Sequence, residues 1–358
     1  MRKHKWALGF SACLLAFTVF LSLDTFVLSS AYQENATQMN TAMFESVQSG
    51  NSVESAEEPE ATEENAGDTA EPQAETTPQE NTESSGKKHK ARRTSAEEAV
   101  QETSEAPTQS SPAASADSAD ARTYQDENIS VALTERTVNG TAVYVADVRL
   151  ASAEYLKTAF ASDTYGKNVT AKTSTIAAAH DALLAVNGDY YGARERGYVI
   201  RNGVVYRDSA DSADVLCVYA DGTMEIVDPE TVTAQELVER GVWQAFSFGP
   251  ALVEDGSVSV SEGDEVGRAK ASNPRTAVGM IEPLHYVFVV SDGRTDASEG
   301  LSLYELAQFM RTLGAETAYN LDGGGSSTMV FQGEVINNPT TSGNSIKERG
   351  VSDIVYIG

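Results

Sequence analysis

The sequence predicts an α+β fold, with a large mixed or barrel-like β-sheet and a few flanking helices, in a single globular domain over residues 123–358. Three observations carry this prediction. Apolar segments of strand length outnumber helical stretches. The two types do not alternate in a steady βαβ rhythm, which separates the chain from parallel α/β folds. Ahead of residue 123 the composition changes to one with hardly an aromatic after Phe44, too poor in apolar surface to build a core.

Taken in order, "ISVALTERTVNGTAVYVADVRL" (129–150) reads as two alternating strands joined at Asn139-Gly140, a strong hairpin signal. "TSTIAAAHDALLAV" (173–186) is helix-like and runs directly into "NGDYYG"; His180 falls on it with no second histidine nearby, and reads as structural or exposed. "VVYRDSADSADVLCVYADGTMEIV" (204–227) supplies further strands with a turn at Asp221-Gly222. A short helix follows in "TAQELVERG" (233–241), with a capping box from Thr233 and Glu236 and a closing glycine. The clearest helix is "LSLYELAQFMRTLG" (301–314), capped by Ser302 with Glu305 and closed by Gly314. Its Leu303, Leu306, Ala307 and Met310 share one face. "AETAYNL" then reads as a buried strand that leaves Asp322 at its C-terminal end. A hairpin turning near Gly333 and a last strand in "SDIVYIG" complete the domain.

Upstream, Arg2, Lys3 and Lys5 precede an apolar run from Trp6 to Leu23. That run is about long enough to cross a bilayer, which takes roughly 17–25 residues. Residues 1–30 are therefore read as an uncleaved signal anchor in a membrane, with the rest of the chain exported. A cleaved signal peptide is the rival reading. Residues 31–122 read as a disordered acidic linker rich in Ser, Thr, Glu and Pro. Its basic island, "KKHKARR" (87–93), is either a solvated charge patch or a contact for anionic wall polymer or lipid.

From Tyr124 onward there are 17 Lys and Arg against 33 Asp and Glu. So acidic a domain lacks the basic footprint of nucleic-acid binding, and an anionic substrate must find a local positive pocket. Of the two cysteines, Cys13 lies in the apolar run and Cys217 stands alone in the domain, which excludes an intradomain disulfide and a cysteine zinc site.

The chemistry concentrates in "YNLDGGGSSTMV" (319–330). Gly323, Gly324 and Gly325 can turn successive amides toward an anion or let a ligand approach the backbone. Asn320 and Asp322 precede them, and Ser326, Ser327 and Thr328 add hydroxyls. The stretch is not a P-loop, since no Lys-Ser/Thr follows the glycines, and it is not a G-x-S-x-G elbow. Other polar clusters close apolar segments: Asn187 and Asp189 in "NGDYY", Arg275 in "NPRTAVG", Asp292 and Arg294 in "VVSDGRTD", then Glu299, and Arg349 in "KERGVSD". Polar groups at the ends of separate strands are how a scaffold assembles one site from distant sequence.

These motifs, with "FGPALV" and in this order, make the region from the helix before Asn187 to the C-terminus resemble the phosphodiester glycosidase family, which includes a lysosomal animal enzyme and bacterial exopolysaccharide-related proteins. The resemblance implies cleavage of a sugar from a phosphodiester joined at its anomeric carbon. Asp322 and the glycine loop match the family's central motif and Arg275 and Arg294 its arginines; since a guanidinium fork binds phosphate oxygens bidentately, Arg275 and Arg294 are expected to clamp the phosphate. Asp322 would act as nucleophile, base or stabilising carboxylate. Asn187, Asp189, Asp292 and Glu299 are candidates for a second carboxylate or for orienting sugar, and the glycines, Asn320, Ser326, Ser327 and Arg349 for binding substrate. "NGDYY" departs from the usual small residue at position 189. The cysteine-rich extensions of the animal enzyme are not seen, so a glycosyl-phosphate polymer such as teichoic acid or capsule is the expected substrate. This reading calls for no cofactor. Its alternatives are a phosphodiesterase with Ca²⁺ or Mg²⁺ on Asp189, Asp292 and Asp322, a glycosidase on uncharged exopolysaccharide, and a non-catalytic wall-polymer binding module.

Overall fold

The computed structural model describes residues 14–15, 33–34, 38–48, 122–264, 272–343 and 345–358. Most of the expected anchor, most of the linker and its basic island lie outside these residues. No helix among those described is long and apolar enough to cross a membrane.

In chain order, α1 (Ala42–Gln48) precedes a first group of strands, β1 (Arg122–Gln125), β2 (Ile129–Val138), β3 (Thr141–Leu150) and β4 (Leu156–Phe160). Helix α2 (Thr173–Ala179) leads to β5 (Leu184–Asn187), β6 (Val199–Arg201), β7 (Val204–Arg207), β8 (Val215–Tyr219) and β9 (Met224–Val227). After α3 (Ala234–Glu239) come β10 (Val242–Phe246), β11 (Ala251–Glu254), β12 (Ser257–Val258), β13 (Arg275–Glu282) and β14 (His285–Ser291). Helix α4 (Leu303–Thr312), β15 (Thr317–Asn320), β16 (Met329–Phe331), β17 (Glu334–Val335) and β18 (Asp353–Ile357) finish the chain.

Three sheets hold these strands. The largest has the order β12-β11-β15-β13-β14-β3-β2-β1; the others run β7-β6-β10-β8-β9 and β17-β16-β5-β18-β4. Leu133, Tyr286 and Phe288 from the first, Leu216 and Phe246 from the second, and Leu184, Phe331 and Val355 from the third join one buried apolar cluster. The sheets therefore enclose a common core, the barrel-like alternative of the expected fold. Every pairing among the described strands of these sheets is antiparallel. The outer face of the large sheet, with Val143, Val145, Ala277, Val287 and Val289, is covered by Leu303, Leu306, Ala307 and Met310 of α4. Strand β14 is thus buried on both faces, which is why it reads as a continuous apolar run.

The β2–β3 hairpin turns at Asn139 and Gly140, both with positive φ (48° and 76°), the geometry its Asn-Gly pair favours. Both expected capping boxes form, Thr233 with Glu236 and Ser302 with Glu305. Two expectations fail. The helix expected over 173–186 stops at Ala179, and residues 184–187 are strand β5, because Leu184 and Val186 pair with β16 and β18. The chain reverses between them at Asp181 (φ 49°). The linker expected to be disordered over 31–122 contains α1, whose Phe44 is buried against Ala153, Ala220 and Trp243. Its ring meets the Trp243 indole edge-on, with centroids 4.8 Å apart.

Candidate active site

The ends of β5, β14 and β15 and the starts of β13 and β16 meet at one end of the sheets, and Asn187 ties them together. Its Nδ2 donates to the Asp322 carbonyl at 2.6 Å. Its Oδ1 accepts from Thr276 Oγ1 at 2.8 Å and from the Thr328 amide at 3.3 Å. One fully buried side chain thus holds both flanks of the glycine turn, where sequence alone left sugar orientation open.

The glycines allow close packing. Gly324 has φ 62°, donates its amide to the Pro274 carbonyl at 2.8 Å, and carries the Arg294 guanidinium so near that a Cβ would lie 2.7 Å from Nη2. The amides of Ser326 and Ser327 donate to the carbonyls of Gly323 and Gly324. Of the glycine amides expected to face a ligand, that of Gly324 is thus committed to Pro274, and the turn closes on itself at Ser326 and Ser327 as a 3₁₀ turn.

Above this turn stand the charged groups. Asp322 Oδ2 lies 2.8 Å from Arg349 Nη2. Arg349 Nε and Nη2 also donate to Ser326 Oγ, at 3.0 and 2.5 Å. Burial pushes the Asp322 carboxyl above its ordinary value, opposed by Arg349 and by hydrogen bonds from Ser326, Arg349 and the Gly323 backbone. Arg294 donates through Nε and Nη2 to Asn273 Oδ1 and through Nη1 to the Thr341 carbonyl. Its pKa is lowered by desolvation and then by the positive charge of Arg349, with Asp322 pulling the other way. Two guanidiniums and one carboxylate thus share a field, leaving an excess of one positive charge inside an acidic domain. The Arg349 side chain is 38 % exposed, so an anion can reach it. Beside it opens a cleft of about 410 Å³ lined by Thr341, Ser342, Ser345, Lys347, Glu348 and Gly350.

The remaining candidates fall elsewhere. Asp189 is buried 2.9 Å from Arg201 Nη2 and accepts from the amides of Tyr191 and Ser247, so it anchors a turn and is not the second carboxylate. Arg201 bonds also to Asp353 at 2.8 Å. Burial raises the Asp353 pKa, Arg201 opposes this and Asp189 adds to it. Asp292 is wrapped by Asn338, through its amide (2.7 Å) and Nδ2 (2.8 Å), and by Asn337 and Tyr144, so it fixes the 337–338 loop. Glu299 is exposed, and its carbonyl accepts from the Arg294 amide. Arg275 is buried, donates Nε to the Leu301 carbonyl at 2.9 Å, and runs its stem beneath Gly323, which makes it a support of the turn. Asn320 donates to the Gly249 carbonyl, while its Oδ1 is buried without a hydrogen-bond partner among the described residues, as are Ser327 Oγ and Thr328 Oγ1. Ser327 is sealed from solvent, so it is not placed to touch substrate. Asp189, Asp292 and Asp322 occupy three separate environments, and no group of three or more His, Cys, Asp or Glu among the described residues is arranged to hold a metal ion.

The site is thus an antiparallel core closed by a glycine turn, with a carboxylate and two arginines above it. Residues 180–358 match the phosphodiester glycosidase family model, and the chain belongs to that family. It is 30% identical over 165 residues to the SPbeta prophage-derived uncharacterized protein YomE of Bacillus subtilis (strain 168), covering 44% of this chain and 25% of that one. It is 32% identical over 120 residues to the N-acetylglucosamine-1-phosphodiester alpha-N-acetylglucosaminidase of Mus musculus, covering 32% and 23%. The matched region is about a quarter of the length of these relatives. The zebrafish catalytic domain of the same activity, auto-inhibited by its pro-peptide, shares the fold with a TM-score of 0.51 at 19% identity, covering 66% of this chain and 86% of that one.

Proposed function

We propose that this protein is an exported hydrolase that releases a sugar from a glycosyl phosphodiester in a surface or extracellular polymer of teichoic-acid type, held at a membrane by its N-terminal segment. One observation carries the reading: Asp322 is a single carboxylate flanked by the cations Arg349 and Arg294. Ordinary glycosidases use two carboxyl groups because an alcohol leaving group must be protonated. A phosphate monoester leaves as a weak base, with a second pKa of about 6, and needs charge stabilisation more than a proton. A lone carboxylate beside two guanidiniums suits that task.

In this mechanism Arg349 and Arg294 hold the phosphate oxygens, replacing the Arg275–Arg294 pair expected from sequence. Asp322 faces the anomeric carbon, where its negative charge stabilises the oxocarbenium-like centre as the C–O bond lengthens. Water supplies hydroxide to the sugar and a proton to the leaving phosphate. The products are a free sugar and a phosphate monoester. The cleft lined by Lys347 accommodates the rest of the polymer beyond the phosphate.

The test is to incubate the full chain with a panel of sugar-1-phosphodiesters in H₂¹⁸O and identify the products by mass and ³¹P NMR. Free sugar carrying the label, with unlabelled phosphate monoester, is expected. Label in the phosphate would show P–O cleavage and overturn the reading, as would turnover of uncharged glycosides alone.

A further inference from the structure

We propose that Tyr190 is the wall on which the sugar ring stacks, which makes it a specificity-determining residue. The inference rests on the glycosyl-phosphodiester reading and deepens it by naming the contact made by the sugar itself.

Tyr190 combines three features that its own packing does not account for. It holds φ 64° and ψ 27°, left-handed backbone that is a genuine outlier for a bulky side chain. The residue is 40 % exposed, although large aromatic side chains are usually well covered. Its hydroxyl bonds no described residue. Strain of this kind persists only where the surroundings impose it, and here they do so from both sides. Asp189 is pinned by Arg201 and by the Ser247 amide. Tyr191 is buried, stacked on Tyr165 with ring centroids 5.1 Å apart. Gly188 donates its amide to the Asp353 carbonyl, and a Cβ on it would overlap the Asp353 carboxylate. The buried Asp189–Arg201–Asp353 cluster therefore serves to present one exposed aromatic ring.

The ring is presented at the reaction site. The Arg349 guanidinium lies 5.9 Å from the Tyr190 ring centroid, near the outer limit of a cation–π contact, while Nη2 of the same group lies 2.8 Å from Asp322 Oδ2. A hexopyranose whose anomeric carbon faces Asp322 and whose phosphate meets Arg349 has its ring next to Tyr190. An aromatic face offers such a ring an apolar partner for its axial C–H bonds, with little side-chain entropy to lose. Sugars that differ in which face carries axial hydroxyls are then distinguished by how flat they lie on the ring.

The experiment has two arms on the full chain. In the first, binding of methyl gluco-, galacto- and mannopyranosides and of the methyl N-acetylglucosaminide is measured by calorimetry or saturation-transfer NMR, without catalysis. Tyr190→Ala is expected to weaken the favoured sugar roughly two- to tenfold, the range of an aromatic contact. Tyr190→Phe should restore binding, and thermal melting should confirm that both variants fold. Equal binding by wild type and Tyr190→Ala, or none by either, overturns the proposal whether or not the phosphodiester reading holds. In the second arm, inhibition by dimethyl phosphate reports on the phosphate site formed by Arg349 and Arg294, without the sugar. It should be unchanged in Tyr190→Ala; an equal loss for sugar and for dimethyl phosphate would make the tyrosine a mere prop for Arg349 and overturn the proposal.

Discussion

Arg349 reaches across the glycine turn to Asp322, Nη2 to Oδ2 at 2.8 Å, while also donating to Ser326. Replacing Asp322 with Asn keeps the shape and removes the charge. We expect turnover of sugar-1-phosphodiesters to fall at least ~1,000-fold, comparable with losing a central electrostatic stabiliser, with the melting temperature little changed. Ordinary turnover by a folded Asp322→Asn protein would remove this carboxylate from the chemistry.

The same pair sets the response to pH. Burial holds the Asp322 carboxyl above its ordinary range and Arg349 pulls it down. The reaction needs the carboxylate, so kcat/KM declines as pH drops through this raised pKa. Arg349→Gln removes the downward pull, and the acid limb should move to still higher pH. The substitution should also cost about 2 kcal/mol of transition-state stabilisation from the lost charge-assisted contact. A pH–rate profile of both proteins measures the two effects together.

Asp189 provides the contrast. It belongs to the buried cluster around Arg201, away from the reacting atoms. Arg201→Leu should destabilise the fold by about 3 kcal/mol or more, since it leaves two buried carboxylates without their cation. Asp189→Asn should cost about 1–3 kcal/mol by weakening bonds to buried donors. Denaturant unfolding reads both. The Asn variant should keep far more activity than Asp322→Asn, and equal losses would return Asp189 to the catalytic centre.

Gly324→Ala examines the turn itself. A methyl group there meets Arg294 Nη2 at 2.7 Å and sits on backbone with φ 62°. About 1 kcal/mol of stability should be lost to conformational strain, while displacement of Arg294 should lower kcat/KM at least ~10-fold. Activity that falls only in proportion to stability would show that Arg294 does not hold the phosphate.

Much of this arrangement was legible in the sequence because local rules and tertiary packing agreed. The capping box of Ser302 and Glu305, the Asn139-Gly140 hairpin and the placement of Asp322 after an apolar strand each rest on neighbours in sequence. The site residues tied to distant partners were harder to place. Asp189 resembles a catalytic carboxylate until Arg201 and Asp353 are seen beside it. The signal that could have found them was a lone charge within each of two buried strands, "YVIRN" and "SDIVYI", since a buried charge requires a partner. Residues 184–187 followed the helical pattern of 173–179 and became strand because two neighbouring strands pair with them. Arg275 occupies the mouth of β13 as expected, but its guanidinium turns inward to the Leu301 carbonyl, a direction that spacing does not encode. Tyr190 has no sequence signature, because left-handed backbone at an aromatic residue is imposed by its surroundings.

Phe44 seated beside Trp243 changes what the acidic stretch can be. Helix α1 and the strand that opens the large sheet belong to the same compact unit, so residues 49–121 depart from and return to one folded body. A protease cutting between residues 48 and 122 would leave Phe44 seated against the domain, whereas a truncation beginning at residue 123 would strip away the phenylalanine that covers the indole.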